Sequence, residues 1–247
     1  MFKRFVKLLN ISIVCFLLLN ENAVVQAIDS SEFKLVNLSQ EDINRIWNNV
    51  DFQIIPEGEN IKIFSDPIVS FDVSKSQNII VGLNNKQLIL LNKNNKLLYH
   101  YKFNSSGSFY VQWKGENILL FLVRSSIIIE ISPDGQLISM IETDNHVVNN
   151  NRLWRQVANQ RTVNINNCEY SIKNDMGILN LFACQTYSQL VATDEFGNST
   201  IVYNVSDVQK MKIIGIMVVA LIVFALMFII VIWPSIIKPA KDKKHLM

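Results

Sequence analysis

The chain has 247 residues, with 23 Lys and Arg against 21 Asp and Glu, a formal charge of +2. Its basic excess sits mostly at the two termini, so no basic outer face for nucleic acid is supported. The 49% hydrophobic share is raised by an apolar segment at each end, and what remains is enough for one compact domain.

Asn is abundant, whereas Gly (8) and Pro (5) are scarce. This fits codon bias in an AT-rich genome. The run Asn149-Asn150-Asn151 is too short for a prion-like tract.

Lys3, Arg4 and Lys7 precede an apolar run from Leu8 to Leu19. Asn20, Glu21 and Asn22 break it, and Val25-Gln26-Ala27 follows with small residues at the cleavage positions. These features predict a secretory signal peptide over residues 1–27, cleaved after Ala27. An uncleaved signal anchor is the alternative. Cys15 lies inside the run, between Val14 and Phe16, and does not fit a lipoprotein anchor.

Residues 28–60 form an N-terminal segment with one short helix. Ser39 stands three residues before Asp42, as in a capping box. Ile43, Ile46, Trp47 and Val50 then share one helical face. The spacing predicts an amphipathic helix over Gln40–Asn49.

Residues 61–208 read as a β-repeat domain. Ile68–Val73, Asn78–Leu83, Gln87–Asn92 and Leu97–Phe103 are apolar runs separated by polar breaks at hairpin spacing. The order recurs in Phe109–Lys114, Asn117–Val123, Ser126–Ser132 and Gln136–Glu142. Residues 78–103 align with 117–142 with a shift of about 40. A third copy of the last hairpin spans 188–205, and Lys93–Lys96, Pro133–Gly135 and Glu195–Asn198 are the equivalent turns. Within the repeat, Leu88, Leu90, Ile127 and Ile129 fall on one face of equivalent strands and should meet a core. The opposite set, Gln87, Ile89, Ile128 and Glu130, mixes polar with apolar, so only partial cover is expected there.

A unit of ~40 residues with four antiparallel strands resembles the blade of β-propeller proteins of the quinoprotein and NHL kind. The resemblance covers Ile61 to Val205. It implies an all-β domain of antiparallel four-stranded blade-like repeats, incomplete as a propeller because the copies fall short of the usual four blades. No blade-specific Trp-Asp or quinone-binding motif is present. Overall the chain is similar to small single-pass membrane-anchored proteins of clostridial-type bacteria, a likeness that implies no particular activity.

Between the second and third copies lies a polar insertion, Thr143 to Gln160, with Leu153, Trp154 and Val157 at partial helical spacing. A peripheral helix or a mobile excursion is expected there. A hairpin follows, Arg161–Ile165 to Cys168–Lys173. Cys168 and Cys184 close a loop of about 15 residues, for which chain entropy gives ~3 kcal/mol. Two buried free thiols are the plain reading; an oxidising compartment permits the disulfide as the alternative.

From Ile213 to Trp233 the chain runs about 21 residues without a charge. As a helix that is roughly 32 Å, matching the ~30 Å core of a bilayer. The tail, residues 234–247, carries Lys238, Lys241, Lys243, Lys244 and His245 against Asp242. A cleaved signal and a C-terminal transmembrane helix over 213–233 place the domain outside and the basic tail in the cytoplasm, as the positive-inside tendency favours. The membrane helix has no Gly-x-x-x-Gly pair for tight dimerisation.

Catalytic signatures are missing: no Gly-x-Ser-x-Gly elbow, phosphate-binding Gly loop or His-Glu-x-x-His helix occurs. No catalytic, cofactor-binding or metal-ligating residue is assigned. His100 on a strand and His146 in the insertion read as satisfied or solvated histidines. Asp72 reads as a strand end and Asp134 as a turn residue. Asp144, Asp194 and Glu195 join a carboxylate site only if the fold assembles them. The sequons at Asn37, Asn104, Asn198 and Asn204 read as silent in a bacterial setting.

The leading expectation is a cell-surface, single-pass membrane protein whose β-repeat domain is a binding or interaction module. Its partners would be the membrane and a protein at the cell surface, with oligomeric state open. One alternative is an accessory subunit of a membrane transport or secretion complex. Another is a membrane-tethered enzyme that brings Glu130, Asp134 or Asp144 together with a His at the propeller face.

Overall fold

In the computed structural model, residues 30–55, 66–182, 186–227 and 229–230 are described. The predicted signal segment, Cys184 and the basic tail lie outside these residues.

In chain order the elements are β1 (Leu35–Val36), α1 (Gln40–Val50), β2 (Gln53–Ile54), β3 (Ile68–Val73), β4 (Ile79–Leu83), β5 (Gln87–Leu91) and β6 (Leu97–Lys102). Then come β7 (Phe109–Lys114), β8 (Asn117–Leu122), β9 (Ile127–Ile131), β10 (Leu137–Thr143) and α2 (Val148–Asn159). The chain continues with β11 (Thr162–Ile165), β12 (Cys168–Lys173), β13 (Gln189–Thr193), β14 (Ser199–Asn204) and α3 (Ser206–Met227).

The strands form three antiparallel sheets, ordered β2-β6-β5-β4-β3 (sheet 1), β1-β10-β9-β8-β7 (sheet 2) and β11-β12-β13-β14 (sheet 3). They do not close into a propeller. Sheets 1 and 2 have five strands, one more than the repeat predicts. Each fifth strand comes from the N-terminal segment: β1 pairs with β10, and β2 pairs with β6. Two-residue strands are too short to carry an alternating pattern, so they leave no mark in the sequence.

The repeat lives in its turns. Asn92, Ser132 and Asp194 each open a turn in which their backbone N–H bonds the carbonyl four residues on, at Lys96, Gln136 and Asn198. The second bond of each turn runs from Asn95, Gly135 and Gly197 back to the first residue. Those three donors have φ of 59°, 81° and 82°, the left-handed region where Gly and Asn are least strained. Side chains finish the job: Asn92 and Asp194 each accept two backbone N–H bonds, and the Ser132 hydroxyl accepts one from Gln136. Just past the turn, a bulge sets aside Leu98 in sheet 1 and Ile138 in sheet 2, which stay exposed.

Side-chain burial stacks the layers as sheet 3, sheet 1, sheet 2 and α2. Between sheets 1 and 2 lie Leu88, Leu90, Ile127 and Ile129, as the alternation predicts, with Tyr101, Leu120 and α1 residues Ile43, Ile46 and Trp47. Between sheets 1 and 3 lie Phe71, Val81, Ile89, Tyr170, Leu190 and Tyr203. On the far side of sheet 2, Phe33, Phe121 and Ile128 pack on Leu153, Trp154 and Val157 of α2. The opposite face of the repeat is covered more than expected: Ile89, Ile128 and Glu130 are buried, and Gln87 is half-buried. The cause is the stack, which places a layer on each side of sheets 1 and 2.

Local signals set the helices. Ser39 caps α1 by accepting the Asp42 N–H at 3.1 Å. The insertion supplies α2, whose inward stripe is the one read from Leu153, Trp154 and Val157. The C-terminal helix begins at Ser206, earlier than the apolar run, because the Asn204 side chain accepts the Ser206 N–H at 2.9 Å and the first turns bury Ser206 and Gln209 on the domain. It is the single described helix long and apolar enough to cross a membrane.

Candidate functional site

The inner strands β3 and β7 lie side by side, and a buried polar hub joins them. Asp72 on β3 is 3% exposed. Its Oδ2 accepts the Trp113 backbone N–H at 2.7 Å, and its Oδ1 accepts that of Val73 at 2.9 Å. Gln160, at the end of α2, donates to the same carboxylate at 3.4 Å and accepts from Gln112 at 2.6 Å. Burial pushes the Asp72 carboxyl up to about 6, against the opposing pull of these hydrogen bonds. The hub thus ties sheet 1, sheet 2 and the α2–β11 junction through one carboxylate.

Strands of a meander alternate in direction, so the connections fall at two ends. One end holds the 84–86, 103–108 and 123–126 connections, residues 174–182 and 186–188, and the start of α3. A cleft of about 250 Å³ opens there, lined by Val69, Asn84, Lys86, Phe109, Tyr110 and Thr186. The Lys86 amine donates to the Gly107 carbonyl and sits 5.0 Å over the Phe109 ring. Burial lowers its pKa. The Arg161 guanidinium lies 4.7 Å over the Tyr187 ring. Burial raises the Tyr110 phenol, with Arg161 pulling the other way.

A second cleft, about 220 Å³, lies on the α2 side of sheet 2 and includes Ser30, Leu35, Lys114, Ile128, Glu130 and Ser139. Glu130 accepts from Asn117 at 2.7 Å, Lys114 at 3.0 Å and Ser139 at 3.1 Å. Burial pushes Glu130 up, but these donors and the Lys114 charge outweigh it and hold the carboxyl below its ordinary value. A carboxylate so supplied with donors is a structural anchor and a poor proton donor.

The candidate acids do not converge. Asp134 is tied into its turn by Ser132 and Gln136. Asp144 pairs with Lys34 at 3.6 Å and accepts the His146 backbone N–H. Asp194 closes the sheet 3 turn, and Glu195 accepts from Asn167 at 3.0 Å. Among the described residues no group of three or more His, Cys, Asp and Glu could hold a metal ion. His100 corrects its sequence reading: it is buried on β6, and neither ring nitrogen finds a partner among the described residues. Burial lowers its pKa. Cys168 is half-buried on β12, against the sheet 1–sheet 3 core.

No protein-family model matches the sequence, and no curated protein matches it. Among solved structures, Hsv2 of Kluyveromyces lactis aligns at 14% identity over 56% of this chain and 46% of its own, with a TM-score of 0.28. Sqt1 of Saccharomyces cerevisiae aligns at 11% identity over 62% and 34%, again at 0.28. BamB of Moraxella catarrhalis aligns at 13% over 55% and 53%, also at 0.28. The matched region spans about half or less of those chains. At such TM-scores these likenesses establish neither a shared fold nor a shared function.

The hub escaped the sequence. The hub left a single trace, one acid inside the apolar strand IVSFDV. Its partners Gln112 and Gln160 look like any polar residues until the sheets meet.

Proposed function

We propose that this protein is a single-pass membrane-anchored interaction module, with its β-domain on the non-cytoplasmic side. The observation that carries the reading is the junction of β14 and α3. The strand ends at Asn204 and the helix starts at Ser206, so no flexible linker separates domain and helix. None of the apolar window of α3 is buried by the domain. Such a surface is unstable in water and stable in hydrocarbon.

The binding reading is supported by two shallow clefts and by carboxylates each engaged in their own local contacts. Its partner is a protein at the cell surface. The membrane-distal turns, 92–96, 132–136 and 194–198, reach away from the bilayer and present Phe196, 81% exposed, to such a partner.

Cross-linking in intact membranes followed by capture through the C-terminal tail tests this. One protein recovered at constant ratio is the expected result; a chain always recovered alone would overturn it. Sidedness is read separately. Protease added to intact cells should destroy an epitope in the β-domain and spare one after Lys244. The mature chain should begin at Ile28, and alkylation of Cys168 and Cys184 before and after reduction separates two free thiols from a disulfide. Labelling of both thiols without reduction would remove the disulfide.

A further inference from the structure

We infer that the turn Gly177–Phe182, between β12 and β13, is a second membrane contact, which seats the domain on the bilayer beside α3. The inference rests on the proposed anchoring. Its substance is the short 3-10 turn Gly177–Phe182, which ties up its amides and exposes two aliphatic side chains. Two amides of this connection are taken up by its own backbone. Asn180 accepts the Met176 N–H at 3.0 Å and donates to the Asn174 carbonyl. Asn174 accepts the Ser188 N–H at 2.9 Å and donates to the Thr186 carbonyl. Met176 is buried beneath them. Ile178 and Leu181 point outward, 80% and 60% exposed, while Leu179 between them is half-buried.

A turn held by its amides and presenting its aliphatic side chains does not gain from water. Its neighbour says what covers it. The turn packs against α3. On that helix only the stripe Ser206, Gln209, Lys210 and Ile213 is buried or half-buried, whereas every side chain from Ile214 to Met227 is exposed. The turn therefore lies beside the first turns of α3, where the apolar run begins. Ile178 and Leu181 continue the lipid-facing surface of the helix. The occupant is the interfacial region of the non-cytoplasmic leaflet, and the second contact fixes the tilt of the domain that α3 alone leaves free about its axis.

The test uses the full chain in lipid vesicles. An environment-sensitive fluorescent amino acid replaces Ile178, Leu181, Val219 or Phe196 in turn, all exposed positions that tolerate a probe. Quenchers are lipids spin-labelled near the glycerol end or near the methyl end of the acyl chain. Probes at 178 and 181 should shift to the blue and lose emission to the shallow label. The probe at 219 should respond to the deep label, and that at 196 to neither. Quenching at 219 with 178 and 181 behaving like 196 would overturn the seat and leave the anchor standing. No quenching at 219 would remove the anchor, and the seat with it. A blue shift at 178 and 181 without lipid quenching would mean that a protein covers the turn, which also overturns the inference.

Discussion

Sheets 1 and 3 share a four-strand meander and the same hairpin turn, yet they sit in different surroundings. In sheet 1 every residue of β4 is buried, and all but Gln87 of β5. In sheet 3, β12 exposes Glu169 and Lys173, and Tyr203 is the one buried residue of β14. Sheet 1 is the middle of the stack and sheet 3 its end. Place in the stack therefore decides how much each apolar residue contributes, because only a covered face removes its surface from water. The end sheet behaves like a cap, with Glu169, Lys173 and Ser199 among its exposed residues.

The sharpest test of this contrast is a pair of truncations. Leu90→Ala, at the centre of the sheet 1–sheet 2 core, should cost about 2–5 kcal/mol. Ile201→Ala, on a side chain 53% exposed, should cost at most about 0.5 kcal/mol. Denaturant unfolding of the protein in lipid nanodiscs reads both. Similar losses at the two positions would break the stacking order.

Acid titration separates the same two regions by sign. The folded chain holds the Asp72 proton up to about 6, against an ordinary 3.8. The native state then binds more protons between those values, so stability falls as pH rises through that window. At ~1.4 kcal/mol per unit the fall is about 3 kcal/mol. Asp72→Asn should flatten it, and an unchanged slope would place the titration elsewhere. Asp194 in the sheet 3 turn has the reverse sense. Its bonds from Asn198 lower its pKa, so its contribution is lost as pH falls through that lowered value.

A smaller effect distinguishes the turns. Gly135 and Gly197 both have left-handed φ, so an Ala at either costs about 1–2 kcal/mol in backbone strain. At Gly135 the new Cβ would also meet the Ile54 side chain at 3.2 Å, whereas nothing lies within 4 Å at Gly197. Gly135→Ala should therefore lose about 2 kcal/mol and Gly197→Ala about 1 kcal/mol. Equal losses would show that β2 yields to the added methyl group.

Strand positions, the Gln40 helix start and the apolar C-terminal segment were legible because each is a local event. Apolar runs bounded by Asn, Gly and Ser make strands, a Ser39 hydroxyl caps the next turn, and an uncharged run makes a helix whatever surrounds it. The repeated turn at Asn92, Ser132 and Asp194 was legible for the same reason, since its bonds reach no further than four residues. What remained hidden depends on partners far along the chain. The hub joins Asp72 to Trp113 and Gln160 across 41 and 88 positions, and Gln112 to Gln160 across 48. No local pattern announces such a meeting. The cover over Ile89 and Ile128 likewise depends on sheet 3 and α2 taking opposite sides of the stack.

By itself, then, the sequence determined the strands of the repeat, where they turn and which helix is apolar enough to cross a membrane, because sterics, capping and hydrophobicity act over a few residues. Only the tertiary structure decided that sheet 1 lies in the middle, that Asp72 is buried and proton-binding, and that Ile178 and Leu181 face outward beside α3. Those outcomes are set by which surfaces meet, and surfaces from distant segments meet only once the chain has packed.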